Sequence, residues 1–217
     1  MKALPLAVLL ALAVPATAQA ATLQPLKGCY VSASPEDAQR EPVEVLASGF
    51  TPGATVDVDV DGARQEVVAG PDGSVRATAP APYHPSGYRT FAVAAIEPAN
   101  PANFAYAQTL VSALELSVSP TKARPRSKVR FRARGFTSGE PVYAHYLFKE
   151  RPRRTVLLGE PEGPCGSLKV RRRQFPMKKP KLGEWTLQAD HDPVYSALST
   201  SPRAWLEIDV ERVFRRP

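Results

Sequence analysis

Arg126, Lys128, Arg130, Arg132 and Arg134 stand at every second position of one short stretch, with Ser127, Val129, Phe131 and Ala133 between them. Successive side chains of an extended chain point to opposite faces, so this spacing predicts a strand with five charges on one side and an apolar row on the other. Eight residue steps of a strand reach about 27 Å. Lys169 and Arg171 repeat the pattern on a second segment, which Arg172, Arg173, Lys178, Lys179 and Lys181 extend. If the two segments are neighbours in one sheet, their rows merge into a single cationic face. The chemistry open to such a face is Coulombic and multivalent, namely attraction of anionic polymers or surfaces. Reading nucleic acid needs aromatic side chains that stack on bases, and the row holds only Phe131, which alternation turns inward. An anionic cell-envelope polymer or surface is therefore expected as partner ahead of nucleic acid. The competing reading is structural: cations solubilise an exposed sheet and discourage edge pairing.

Elsewhere the chain offers little for catalysis. His84, His145 and His191 are its three histidines, and none has metal-site spacing or a nucleophile motif beside it. His191 lies between Asp190 and Asp192, but the following Pro193 and the polar context read as a loop. Asp57, Asp59, Asp61 and Gly62 match the first half of a calcium loop, yet its twelfth position is Val68, where that loop needs a bidentate acid. Strand alternation accounts for the three aspartates without a metal. There is no Gly-x-Ser-x-Gly elbow and no phosphate loop. The expectation is a chain with no catalytic residue, no metal site and no cofactor. An enzyme of unfamiliar type would require His145 or His191 in a deep polar cleft with an acid partner. A small-molecule carrier would require a sizeable apolar cleft in or between domains. Trp185 and Trp205 lie in alternating apolar strands and are expected in the core.

The elements that hold these residues come in two copies. Ala47-Ser48-Gly49-Phe50-Thr51-Pro52-Gly53 recurs as Ala133-Arg134-Gly135-Phe136-Thr137-Ser138-Gly139, 86 positions later. In the first copy, strands are predicted at residues 43–47, 56–60, 65–68, 74–78, 88–96 and 106–113, separated by Gly- and Pro-bearing turns. In the second they fall at 114–118, 128–134, 143–148, 155–158, 167–170, 183–189 and 205–210. Little helix is expected, and the 23 prolines favour edge strands and loops. A long period with turn signals about every ten residues suits tandem sandwiches better than a solenoid.

Residues 1–20 carry Lys2, an apolar run and small residues at positions 18 and 20, the pattern of a cleaved secretory signal peptide. That run is too short to span a bilayer, which takes about 20 residues of helix. The remaining chain divides into an expected domain 21–113 and another at 114–217. The first holds five Lys or Arg against ten acids, a balance of −5, and the second 22 against 11, a balance of +11. One copy is acidic and its sister strongly basic, so the aspartate row of the first and the cationic row of the second are candidates to dock on each other. Cys29 and Cys165, one per copy, are expected to pair in an oxidising compartment; free buried thiols or a link between chains are the alternatives.

Alternating strand, Gly-Phe-Thr-Pro-Gly turn, Asp61-Gly62, Pro71-Asp72-Gly73-Ser74-Val75 and a late Gly87-Tyr88-Arg89-Thr90-Phe91-Ala92-Val93 strand resemble the immunoglobulin-like modules of secreted and cell-surface bacterial proteins. The resemblance covers nearly all of the chain after residue 20. It implies an all-β fold of two tandem immunoglobulin-like sandwiches, and a binding, spacer or scaffold role at or outside the cell surface. A second resemblance, through Pro71-Asp72-Gly73-Ser74 and the segment from Gly166 to Arg172, is to the neocarzinostatin group of secreted chromophore carriers. That group has two disulfides within one domain, whereas each copy here has one cysteine.

Overall fold

The structure is a computed structural model that describes residues 20–211. The signal-peptide reading falls outside them except at Ala20. In chain order the strands are β1 (Thr22–Leu23), β2 (Cys29–Ser32), β3 (Pro42–Ser48), β4 (Thr55–Val60), β5 (Ala63–Val68), β6 (Val75–Pro80), β7 (Tyr88–Ile96), β8 (Phe104–Ala113), β9 (Glu115–Ser119), β10 (Lys128–Arg134), β11 (Val142–Phe148), β12 (Arg151–Gly159), β13 (Leu168–Arg173), β14 (Gly183–Asp190) and β15 (Ala204–Val210). One 3-10 turn, Asp37–Gln39, is the helical exception among the described residues. The fold is all-β.

Four sheets form. In the first half, β1-β3-β6 faces β2-β8-β7-β4-β5; in the second, β13-β10-β9 faces β12-β11-β14-β15. All ladders are antiparallel except β2 with β8. Strand pairing stays within β1–β8 or within β9–β15. Each pair of sheets encloses its own cluster of apolar side chains, one built on Val43, Val45, Val56, Val58, Phe91 and Val93, the other on Val129, Phe131, Tyr146, Leu158, Trp185 and Leu187. The period-two pattern is what makes this possible, because every inward position of β3 and β10 is apolar while the outward ones are free to vary.

The repeated turn is fixed by a close backbone approach. The Phe50 amide donates to Gly73 O at 3.1 Å and the Phe136 amide to Gly166 O at 3.4 Å. Gly73 and Gly166 have φ of 71° and 51°, and an added Cβ would stand 2.3 Å and 1.4 Å from the Phe50 and Phe136 carbonyl oxygens. Only glycine fits there.

Some expectations are corrected. Arg126 precedes the strand in a turn, so four of the five alternating cations lie on β10 itself. Trp205 is half exposed, because β15 turns Ala204, Ile208 and Val210 inward and Trp205 outward; Trp185 is buried as expected. Strand β12 begins four residues earlier than expected, after a two-residue turn in which Lys149 and Glu150 have positive φ of 51° and 60°. That geometry suits a tight hairpin, but neither residue is the Gly, Asn or Asp that usually announces one.

Candidate cationic binding face

Strands β10 and β13 pair with Lys128 opposite Arg173, Arg130 opposite Arg171 and Arg132 opposite Lys169. Residues directly opposite on an antiparallel ladder share a face, with Cβ atoms about 4.5–5.5 Å apart. The result is three consecutive rungs, each made of two cations, on the outward side of the sheet. The inward side of β10 is Val129, Phe131 and Ala133, each 1% exposed. Lys128, Arg130, Lys169, Arg171 and Arg173 are exposed and Arg132 is half-buried. Among the described residues no acid comes within 4.0 Å of any of the six. Like charges directly opposite destabilise a sheet, by about 0.2–1 kcal/mol per pair, so the ladder is held against its own repulsion.

The ends of the row differ from its middle. Arg134 donates to Glu115 Oε1 at 2.9 Å, while the other Glu115 oxygen accepts from the Gly87 amide at 3.4 Å. Arg134 is thereby engaged where the halves of the chain meet, beside the Leu114 amide that bonds Ser32 O at 3.3 Å. Arg126 stands clear of the rungs in its turn.

The first half contains the same rungs with other residues. There Pro42 faces Pro80, Glu44 faces Thr78 and Leu46 faces Arg76. The sandwich therefore forms with a single cation, Arg76, among these six positions. The aspartate row of β4 is also handled differently, since Asp59 pairs with Arg64 at 3.1 Å and Asp61 with Arg89 at 2.5 Å. Two of the three acids are thus neutralised by arginines of their own half, which removes most of the charge that docking between the two rows would need.

Two further positions exchange chemistry between halves. In the turn Pro71-Asp72-Gly73-Ser74, Asp72 accepts from the Ser74 amide at 3.0 Å and hydroxyl at 2.6 Å, and these bonds hold its carboxyl below the usual carboxylate range. The matching turn, Pro164-Cys165-Gly166-Ser167, carries Cys165 in that place. Its sulfur lies 2.01 Å from that of Cys29, with the Cα atoms 5.1 Å apart, a disulfide across 136 positions of chain. The second exchange lies beneath the repeated turn. Thr51 N–H donates to Glu97 Oε2 at 3.2 Å, and Asn103 donates to the same oxygen at 3.0 Å. These donors, Asn103 foremost, hold Glu97 below the usual carboxylate range. At the equivalent place Thr137 N–H donates to His191 Nε2 at 3.1 Å, while His191 Nδ1 donates to Pro141 O at 3.1 Å.

His145 does have an acid partner. Its Nε2 lies 3.0 Å from Asp190 Oδ1 and its Nδ1 2.9 Å from Thr155 Oγ1, but the His145 side chain is fully buried, with Tyr195 edge-on to its ring at 5.8 Å. Burial works against the charge of Asp190, and the hydrogen bonds from His145 and Gln188 outweigh it, keeping that carboxyl below the usual range. The group ties the outer face of the β11–β14 pair to the loop after β14. A cavity lined by Thr155 and Tyr195, the two residues that touch the imidazole, opens on this side, while the His145 side chain itself is fully buried behind them. No group of three or more metal-ligating side chains occurs among the described residues.

The exact opposition of the cations was not drawn from the sequence, because alternation assigns faces but not register. Aligning Pro71-Asp72-Gly73-Ser74 with Pro164-Cys165-Gly166-Ser167 carries that signal: it sets Arg76, Thr78 and Pro80 in register with Lys169, Arg171 and Arg173.

No family model matches this chain, and no curated protein matches it in sequence. Solved structures that overlap it include a tetra-tandem repeat from the extending region of a large adhesion protein, at 13% identity over 88% of this chain and 49% of that one, with a TM-score of 0.31. A bacterial ice-binding adhesin overlaps at 9% identity, 87% and 62% coverage and a TM-score of 0.30. Red sea bream transglutaminase overlaps at 15% identity, 91% and 32% coverage and a TM-score of 0.32. The chain spans less than two thirds of each of these structures. They lend it neither an activity nor a partner.

Proposed function

We propose that the chain is an exported, non-enzymatic protein of two immunoglobulin-like modules, 21–113 and 114–217, that binds an anionic polymer of the cell envelope through the outer face of β10 and β13. The observation that carries this reading is the unneutralised ladder of three cation pairs. Edge protection accounts for charges on β13, which is an edge strand, but not for those on β10, which lies between β13 and β9. The first module meets the requirements of the same fold with Pro, Glu, Thr, Leu and one cation, Arg76, at the corresponding places.

Binding by such a face is a sum of weak contacts and falls steeply with salt, as counterions released on binding are restored. No helix among the described residues is long and apolar enough to cross a membrane. The test is retention on purified cell-wall polymer and on heparin across a salt series, comparing the native protein with the variant Arg130→Glu, Arg132→Glu, Lys169→Glu, Arg171→Glu. The native protein is expected to elute at the higher salt concentration on both matrices. Unchanged retention of the variant would remove the face from the mechanism.

A further inference from the structure

The side of the second sandwich between β12 and β13 is open. A cavity of about 250 Å³ enters there, lined by Tyr146, Val156, Leu158 and Pro176, with Arg172 and Arg173 at its margin. It exists because two edge strands that belong to facing sheets leave a gap, and because of what stands at two positions. In the first half, Gln65 on β5 reaches across to donate to Thr78 O of β6 at 3.5 Å, bridging the corresponding gap. The position equivalent to Gln65 is Val156, since Val58 faces Gln65 and the matching Ala144 faces Val156. A side chain that bridges is replaced by one that lines.

Arg172 is the second replacement. On the ladder it faces Val129, an inward position, and its counterpart in the first half is Ala79, which faces Val43. Ala79 is 8% exposed. Arginine at a core-facing place cannot stay in the core, so its guanidinium emerges at the edge, where the cavity opens. Neither Arg172 nor Arg173 has an acid within 4.0 Å among the described residues. Behind Tyr146 the packing is aromatic: its ring is tilted against Phe175 with centroids 5.6 Å apart, and Phe175 stands edge-on to Trp185 at 5.3 Å. Burial pushes the Tyr146 hydroxyl well above the usual tyrosine range, so it stays protonated and available as a donor.

We infer that this cavity is a binding site for a small anionic amphiphile, a single carboxylate or phosphate on one short aliphatic chain or one ring, with the apolar part between Val156, Leu158 and Tyr146 and the anion on Arg172 and Arg173. The size sets the class. Organic ligands of drug size occupy about 300–1,000 Å³, so a two-tailed lipid or a multi-ring chromophore is too large. The charge sets the rest: an apolar slot rimmed by two unpaired guanidiniums, which bind carboxylates and phosphates in bidentate fashion, discriminates against neutral and cationic amphiphiles. Arg173 belongs both to a rung and to the cavity margin, but Val156 and Arg172 lie outside the three rungs, so changes at those two positions test the cavity separately from polymer binding.

The probes are sodium octanoate and octyl phosphate, with 1-octanol as the neutral control, titrated into the full-length protein while methyl resonances of Val156 and Leu158 are followed. Both anions are expected to saturate those shifts, and octanol to bind about tenfold more weakly. Val156→Trp, which fills the slot from a half-buried position, is expected to abolish octanoate binding while leaving heparin retention unchanged. Arg172→Gln, a change at an exposed side chain, is expected to narrow the preference for octanoate over octanol, Arg173 keeping the remainder. Octanol binding as tightly as octanoate, or octanoate binding that survives Val156→Trp, would overturn the site whatever the outcome of the polymer experiment.

Discussion

The paired rungs of β3 and β6 and those of β10 and β13 occupy the same places in two copies of one sandwich, and they are filled in opposite ways. In the first copy, Pro42/Pro80, Glu44/Thr78 and Leu46/Arg76 leave at most one charge on a rung. In the second, each rung holds two cations with no acid within 4.0 Å among the described residues. Two acids of the first copy's aspartate row are also paired locally, Asp59 with Arg64 and Asp61 with Arg89. On these rungs one copy keeps charge sparse and the other concentrates it toward solvent. Because fold, register and turn geometry are shared, the difference isolates what the second copy carries beyond folding.

The largest expected effect concerns the exchange of Asp72 for Cys165. A disulfide spanning 136 positions restricts the unfolded chain by about 5 kcal/mol on the chain-entropy estimate, whereas the Asp72 hydrogen bonds in the matching turn are exposed to water and contribute far less. Urea unfolding of Cys165→Ser should therefore lose several times more stability than Asp72→Ala. Equal losses would mean that the two turns do the same work and that the covalent link between the halves adds nothing.

Next comes the acceptor beneath the repeated turn. Truncating His191 to Ala hands the exposed Thr137 amide to water, a loss of about 0.5–1.5 kcal/mol. Acid tests the acceptor of the first copy. The folded Glu97 lies below its usual range, so its contribution is complete above the ordinary carboxylate value and disappears only as pH falls through the lowered one. Amide exchange should show Thr51 keeping its protection at the ordinary carboxylate pH and losing it only below. Loss of protection already at the ordinary value would contradict this reading of the acceptor.

How much of this was legible in the sequence depends on which interaction carried it. Strand β10 and its inward Val129, Phe131 and Ala133 were legible, because a half-buried strand imposes a period of two. The second sheet row at Lys169 and Arg171 was legible for the same reason. What alternation cannot supply is register, and so the direct opposition of Arg130 to Arg171 emerged only with the ladder itself. Arg134 looked like a fifth equal cation; its pairing with Glu115 is a contact across nineteen positions that no local pattern announces. The hairpin at Lys149-Glu150 and the outward Trp205 were hidden for a related reason, since tertiary surroundings there override local preference. The cavity depends on Gln65 in one copy and Val156 in the other, a difference that gains meaning only once both are known to face a gap between sheets.

The smallest expected effect in energy is the most informative about the ladder. Replacing Arg130 by Glu puts opposite charges on the middle rung, which should raise stability by about 0.2–1 kcal/mol, and the mirror change Glu44→Arg in the first copy places a cation opposite Thr78 and should leave stability nearly unchanged. The measurement that tests the central claim is therefore made on Arg130→Glu alone, with urea midpoint and heparin elution recorded on the same preparation. The predicted result is an unchanged or higher midpoint together with elution at lower salt, the signature of a face held for binding at the expense of stability. A lower midpoint with unchanged elution would contradict it, and would make the cations part of what holds the sheet together.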